Sequence, residues 1–287
     1  MATVLITGTS KGIGLATALA FGRAGHTVAA AMRNPAGAPE LAKVAAAENL
    51  AITVYPMDVD SDASVQDGIA LISKEMGPID VLVNNAGIER MGSVEELPLE
   101  GFRAVMETNY FGVIRCIQAV LPGMTKRGSG CIINVTSVAG RIATAPMSAY
   151  SASKFALESL SEILAQEVKS LGIRVAIVEP GIIDTSMAQH ITVKPEASRY
   201  SHAERLGALF TASLKNPVPP TVVADKILEI ADGGTLQLRH PVGPDALPFL
   251  GWRQSMNDEQ WVELGSMEDD AWYDRIESDF SMKVRPQ

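Results

Sequence analysis

Tyr150 stands four residues before Lys154 in the stretch SAYSASKFALE, which reads as the first turn of a helix. Residues at i and i+4 share a helix face, so the phenol and the ammonium point the same way. A cation in a first turn opposes the helix dipole, which favours anions there. Its presence needs another reason, and the tyrosine supplies one. A free phenol has a pKa of about 10, too high for an efficient base at neutral pH. A neighbouring ammonium, and any further cation bound beside it, would favour the phenolate and lower that value. The competing partner for Lys154 is Glu158 one turn on, although Lys before Glu is the weaker orientation for such a pair. Ser137 closes an apolar run thirteen residues before Tyr150. Both side chains can therefore reach the carboxyl ends of the strands, where open α/β sheets bind ligands.

A second group of residues can hold a dinucleotide. TGTSKGIG follows the first apolar run and contains Gly8, Gly12 and Gly14. Glycines there let the backbone turn tightly against a pyrophosphate, while the next helix N-terminus supplies N–H donors and dipole. Ser10, Lys11 and Ile13 complete this cradle. The alternative is a purely structural turn, and the position between first strand and first helix favours the cofactor. An NAD site usually carries an acid at the end of the second strand, accepting from the ribose 2′-hydroxyl. Here that strand ends Ala31-Met32-Arg33, with no carboxylate. Arg33 can pair with a 2′-phosphate, and Lys11 is a second cation nearby. NADP(H) is therefore expected over NAD(H), the plainer alternative being two solvated surface cations. Asp58 and Val59 close the third strand where an adenine edge would be met. Asn85, Ala86 and Gly87, after Asn84, close the fourth, where small residues and amides let a cofactor lie flat.

The elements that must position these groups alternate along the chain. TVLIT (3–7) reads as a strand, followed by a helix to Ala24 with Gly25 as its C′ residue. Strands are expected at 26–32, 52–59, 79–85, 131–137, 173–180 and 236–242, the last after a helix over 221–231. These runs are continuously apolar, which marks strands covered on both faces. The expectation is an α/β fold: a Rossmann-type, doubly wound parallel sheet of about seven strands with helices on both faces. No linker or repeat divides residues 1–287, so one domain is expected.

Two segments break the rhythm. Residues 182–218 form a long connection of the kind that often serves as a lid. Residues 244–287 hold Trp252, Trp261 and Trp272, and two helix starts with capping-box character, Asn257 with Gln260 and Ser266 with Asp269. So many large aromatics imply a helical extension packed on the body, either as a lid or as a wrapper remote from the chemistry. The segment after Gly87 (Ile88, Glu89, Arg90, Met91), residues Ala143 to Met147, and Met187 to Ile191 are candidates to line a substrate pocket. They are mostly apolar.

Composition narrows the function classes. The chain has 287 residues, 47% hydrophobic and 20% charged, as in a well-packed globule. A net charge of −9, with Lys126-Arg127 as the longest basic run, argues against nucleic acid. No apolar stretch approaches the roughly 18–20 residues of a membrane span, and no charged n-region precedes the first apolar run. Cys116 and Cys131 sit in apolar surroundings and read as buried free thiols. Four scattered histidines lack metal-ligand spacing, so no protein-bound metal is expected. A cytoplasmic protein is expected.

TGTSKGIG, NNAG, Asn109 in TNYFG, Ser137, YSASK and EPGIIDT together resemble the classical short-chain dehydrogenase/reductases over roughly residues 3–242. The resemblance implies Tyr150 as acid/base and Ser137 as hydrogen-bond partner of the substrate oxygen. It makes Lys154 the holder of the nicotinamide ribose, and Asn109 the keeper of a water relay to that lysine. Pro180, Gly181 and Ile182 would shape the nicotinamide pocket, with Thr185 on the carboxamide. Lys11 with Arg33 resembles the NADP-preferring members. The implied reaction passes hydride between a nicotinamide and a carbonyl carbon, in an assembly of two or four copies. YSASKFALES with an extended tail loosely resembles the retinol and 17β-hydroxysteroid dehydrogenase branch. NAD-linked alcohol oxidation and a dinucleotide-sensing protein without turnover are the alternatives.

Overall fold

The computed structural model describes residues 1–192 and 198–286. Val4, Leu5 and Ile6 are wholly buried in β1 (Thr3–Thr7). The same apolar character recurs in β2 (Thr27–Met32), β4 (Val81–Asn84), β5 (Gly130–Val135) and β6 (Ile173–Pro180). With β3 (Ile52–Pro56) and β7 (Arg239–Val242) at the edges, they form one parallel sheet in the order β3-β2-β1-β4-β5-β6-β7. The order reverses between β1 and β4, which opens a crevice beyond the strand carboxyl ends.

Successive residues of each strand serve opposite layers. Leu5, Ala29, Leu82 and Ile132 pack with apolar residues of α3 (Asp62–Met76), α5 (Gly112–Arg127) and α6 (Ser148–Val168). Val4, Ile6, Val28 and Ile133 pack with Phe21 of α1 (Gly12–Arg23), Leu41 of α2 (Glu40–Ala47) and Ile227 of α9 (Thr221–Gly233). This two-sided burial explains why the strands show no polar alternation. Cys116 and Cys131 are free and buried, one in each layer.

Strand limits differ from the sequence expectation where the crevice begins. β3 stops at Pro56 and β5 at Val135, and the residues that follow, Met57, Asp58, Val59 and Ser137, line a cleft instead of extending the ladder. The apolar run at 236–238 also precedes rather than joins β7. The long connection after β6 contains α7 (Ser186–Ile191) and α8 (His202–Ser213). Its stretch 193–197 lies outside the described residues.

The tail forms α10 (Ala246–Gln254), α11 (Asp258–Ser266) and α12 (Asp269–Phe280). Asn257 and Gln260 make the expected reciprocal capping box on α11. The second expected box is absent. Ser266 is the last residue of α11 and donates back to Glu263 O at 2.9 Å, so α12 starts after Glu268 without a side-chain cap. A serine that finds an acceptor in its own last turn cannot also serve the next helix. Among the described residues, no helix is long and apolar enough to cross a membrane.

Candidate active site

The turn between β1 and α1 forms one end of a cleft of about 760 Å³ along the strand carboxyl ends. It is fastened to the end of β4. Thr7 Oγ1 accepts from Asn85 N and Ala86 N at 3.0 Å each, and Asn85 Nδ2 donates to Thr7 O at 2.9 Å and Gly8 O at 3.2 Å. Gly8 takes φ 71°, and a Cβ on Gly14 would overlap the Gly8 carbonyl. The bare backbone here fits a pyrophosphate laid on the start of α1. Gly14→Ala is expected to weaken NADPH binding at least about tenfold while helix content is retained, since overpacking of this order costs about 1–3 kcal/mol. A fluorescence titration of bound NADPH measures it, and unchanged affinity would place the cofactor elsewhere.

Arg33 and Lys11 are exposed at this end of the cleft. Beside Arg33 lies an acid that sequence reasoning passed over. Asp60 accepts from Thr108 Oγ1 at 3.0 Å, and its other oxygen is buried with no hydrogen-bond partner among the described residues. Burial raises the Asp60 pKa, with Thr108 and Arg33 acting against that rise. A lone aspartate after a strand carries no motif, and only the fold brings it to Arg33.

At the other end, Ser137 starts a short 3₁₀ turn and its Oγ accepts from Ala139 N at 3.1 Å. Ser137 Oγ donates to Pro180 O at 3.4 Å, and Ser137 lies near enough to the Tyr150 hydroxyl to influence its ionisation. Since α6 begins at Ser148, Lys154 lies in its second turn and not its first. The conflict with the helix dipole is correspondingly small, because that effect fades within one turn. Lys154 is 4% exposed, donates from Nζ to Val135 O at 3.0 Å, and stands 5.6 Å from the Tyr150 ring centroid.

The expected lowering of the tyrosine pKa by Lys154 is not what the protein's own groups produce. Burial pushes the phenol up to about 12, the nearby Ser137 side chain opposes this, and the charge of Glu89 adds to it. Burial also pulls Lys154 down to about 8, with Glu158 acting in the other direction. Desolvation disfavours both charged forms, and the ammonium is turned onto a carbonyl rather than onto the phenol. Glu158 does not bond to Lys154. It accepts from Arg239 Nε at 3.0 Å, and the wholly buried Glu179 lies 3.9 Å from the same nitrogen and 3.5 Å from Arg141.

Asn109 sits in a π-helical turn, Glu107–Phe111, between α4 (Leu99–Met106) and α5. Such turns recur at functional sites. Its amide accepts from Ile88 N and donates to Ile88 O, each at 2.9 Å, and donates to Ser153 Oγ at 3.0 Å. Ser153 in turn donates to Tyr150 O at 2.7 Å. The Asn109 side chain therefore ties the segment after β4 to the helix carrying Tyr150, and makes no hydrogen bond with Lys154.

The cleft is lined by Gly8, Ser10, Lys11, Gly12, Ile13, Gly14, Arg33, Asp58, Val59, Asn85, Ala86 and Gly87 at the turn end. Ser137, Tyr150, Lys154, Pro180, Gly181, Ile182 and Thr185 line the other, with Glu89, Met147, Met187 and Ile191. Met91 is not on this surface but packs beside Met147 and Tyr150. Ala143 lies in a neighbouring chamber, its carbonyl accepting from Trp261 Nε1 at 2.8 Å. Glu89, 8% exposed, bonds through one oxygen to His190 Nδ1 at 2.9 Å, linking α7 to the segment after β4.

The family profile described as short chain dehydrogenase matches residues 2–196. Human retinol dehydrogenase 8 is 39% identical over 233 residues, covering 75% of this chain and 74% of its own length. A short-chain dehydrogenase from Streptomyces avermitilis superposes with a TM-score of 0.76 at 33% identity, covering 96% of this chain and 97% of that one. An actinorhodin polyketide ketoreductase variant with NADPH gives a TM-score of 0.76 at 30% identity, covering 85% of this chain and 97% of that one. The chain belongs to the short-chain dehydrogenase family. This is an oxidoreductase family that works with a nicotinamide dinucleotide.

Proposed function

We propose that this protein interconverts a carbonyl group and an alcohol on a mostly apolar substrate, with NADP(H) as cofactor and reduction as the favoured direction. The observation that carries this reading is the gathering of Ser137, Tyr150 and Lys154 in the same cleft as the glycine turn and Arg33. A bound nicotinamide dinucleotide supplies hydride to the carbonyl carbon. Ser137 donates a hydrogen bond to the carbonyl oxygen, and Tyr150 delivers its proton there as negative charge builds. In alcohol oxidation Tyr150 takes that proton back. Lys154 holds the nicotinamide ribose and, while protonated, favours the phenolate left behind. Asp58 and Val59 meet the adenine edge, Pro180, Gly181, Ile182 and Thr185 flank the nicotinamide, and Asn109 keeps the surrounding segments in register.

An NADPH absorbance assay over a panel of ketones and aldehydes tests the reading. Absence of turnover on every carbonyl, with either cofactor, would leave the dinucleotide-sensing alternative. Arg33→Ser decides cofactor choice: kcat/KM with NADPH should fall by about 10–100-fold, the loss of one charge-assisted hydrogen bond, while NADH is little affected. Changing Arg33 alone is the clean test, because Met32 is 3% exposed and an aspartate there would be a buried charge. The NAD alternative draws on Asp60, whose charge lies close enough to Arg33 to interact with it, and a wild-type preference for NADH would establish it. Phe111, Phe155 and Ile163 are exposed on the π turn and α6, which supports assembly as a homodimer or homotetramer through these helices. A cytoplasmic location accords with the free buried thiols.

A further inference from the structure

Past Ser137 the cleft adjoins a second chamber of about 160 Å³. The two cavities share Ser137, Met147, Gly181, Ile182 and Phe210. The chamber therefore begins where the reacting oxygen would be held. Its far wall comes from the tail: Phe249 and Trp252 of α10, Trp261 of α11, and Trp272 and Phe280 of α12. These aromatics are held in place by one another and by the body. Trp252 stands edge-on to Trp261 at 5.1 Å and to Phe280 at 5.0 Å, and Phe249 stands edge-on to Phe280 at 5.0 Å. Trp261 Nε1 donates to Ala143 O at 2.8 Å, which pins α11 to the segment between Ser137 and Tyr150.

The polar groups at the border are already engaged with the tail. Arg205 pairs with Asp269 at 2.6 Å and donates to Met267 O at 2.5 Å, while a His202 ring nitrogen bonds to Gly265 O at 3.0 Å. Apart from Ser137 and Thr144, what remains facing the space is mostly hydrocarbon and aromatic ring. An apolar cavity of about 150 Å³ stays dry and takes up a molecule the size of benzene. Filling this one would place a ring, or an alkyl chain of similar volume, largely against carbon.

Building on the carbonyl–alcohol reading above, we propose that this chamber is the subsite for an apolar group of one ring's size attached to the reacting carbonyl, and that Trp261 and Phe280 set its size limit. The tail is then part of the substrate site and not a remote wrapper. The chain's three tryptophans all line the chamber, so intrinsic fluorescence reads its occupancy without turnover.

Two measurements on the full chain test the proposal. In the first, toluene, which has no carbonyl, is titrated into protein saturated with NADP⁺, and tryptophan emission should change saturably. In the second, kcat/KM for reduction of methyl ketones from butanone to 2-octanone should rise about fourfold per added methylene until the chamber fills. Trp261→Ala should move that limit to longer or bulkier ketones without changing NADPH affinity. A saturable emission change, with no ketone or aldehyde turned over with either cofactor, supports the chamber and removes the carbonyl reading. Ketones turned over with a flat kcat/KM series, and emission indifferent to toluene, would overturn the chamber and leave the carbonyl reading standing.

Discussion

Tyr150→Phe is expected to lower kcat/KM for carbonyl reduction by about 10²–10⁴-fold, the usual contribution of a positioned general acid. The substitution removes the proton that reaches the carbonyl oxygen and little else. The ring stays packed with Ala139, Met147, Ile191 and Leu206, so the fold should be retained. NADPH affinity should be nearly unchanged, because Lys154 and the glycine turn remain to hold the cofactor. Ser137→Ala should cost about 10²–10³-fold, as for loss of one oxyanion donor. Since Ser137 and Tyr150 are proposed to serve the same carbonyl oxygen, the double variant should be little worse than Tyr150→Phe alone. Steady-state kinetics and NADPH titration on the three variants check this. Near-normal turnover by the phenylalanine variant would remove Tyr150 from the chemistry.

Above pH 8, kcat/KM should fall as Lys154 loses its proton. Burial lowers this lysine from 10.5 to about 8, so it is charged below that pH and neutral above it. The profile of kcat/KM reports groups of the free enzyme, and a single ionisation at about 8 predicts a rate about tenfold lower at pH 9 than at pH 7. Glu158 acts against this lowering. Glu158→Gln removes that anion while keeping the side-chain shape, so the alkaline limb should move to lower pH. Arg239 also pairs with Glu162 at 3.1 Å, a contact the substitution does not remove, which limits the structural damage. Lys154→Ala should lose the limb altogether, together with most of the rate and part of the cofactor affinity. A limb that stays in place in Glu158→Gln would assign the ionisation to another group.

The parts of the site that were legible in the sequence depend on residues near one another in the chain. Glycines after a strand, a tyrosine one helical turn before a lysine, and apolar runs too continuous for a one-sided sheet all carry their meaning locally. The reading of a doubly wound parallel sheet followed from them, and the seven strands pair in that way. The second capping box failed because two short helices meet at Ser266, and local pattern cannot say which one a serine serves.

Local spacing determined that Tyr150 and Lys154 share a helix face, that Ser137 lies at a strand end, and that a bare turn opens the first helix. It could not determine how deeply those groups are buried, because burial comes from segments far along the chain. Packing around α6 leaves Tyr150 9% and Lys154 4% exposed. Their pKa values moved toward the neutral forms as a result, where spacing alone implied a phenol tuned downward. The same holds for the tail, whose aromatics promised docking but no address. Trp261 finds Ala143 across 118 residues, and Arg239 finds Glu158 across 81. Contacts at such separations leave no periodic trace in the sequence. They are set by how the layers close over the sheet, since only closure removes water from the groups between them and fixes what each one faces.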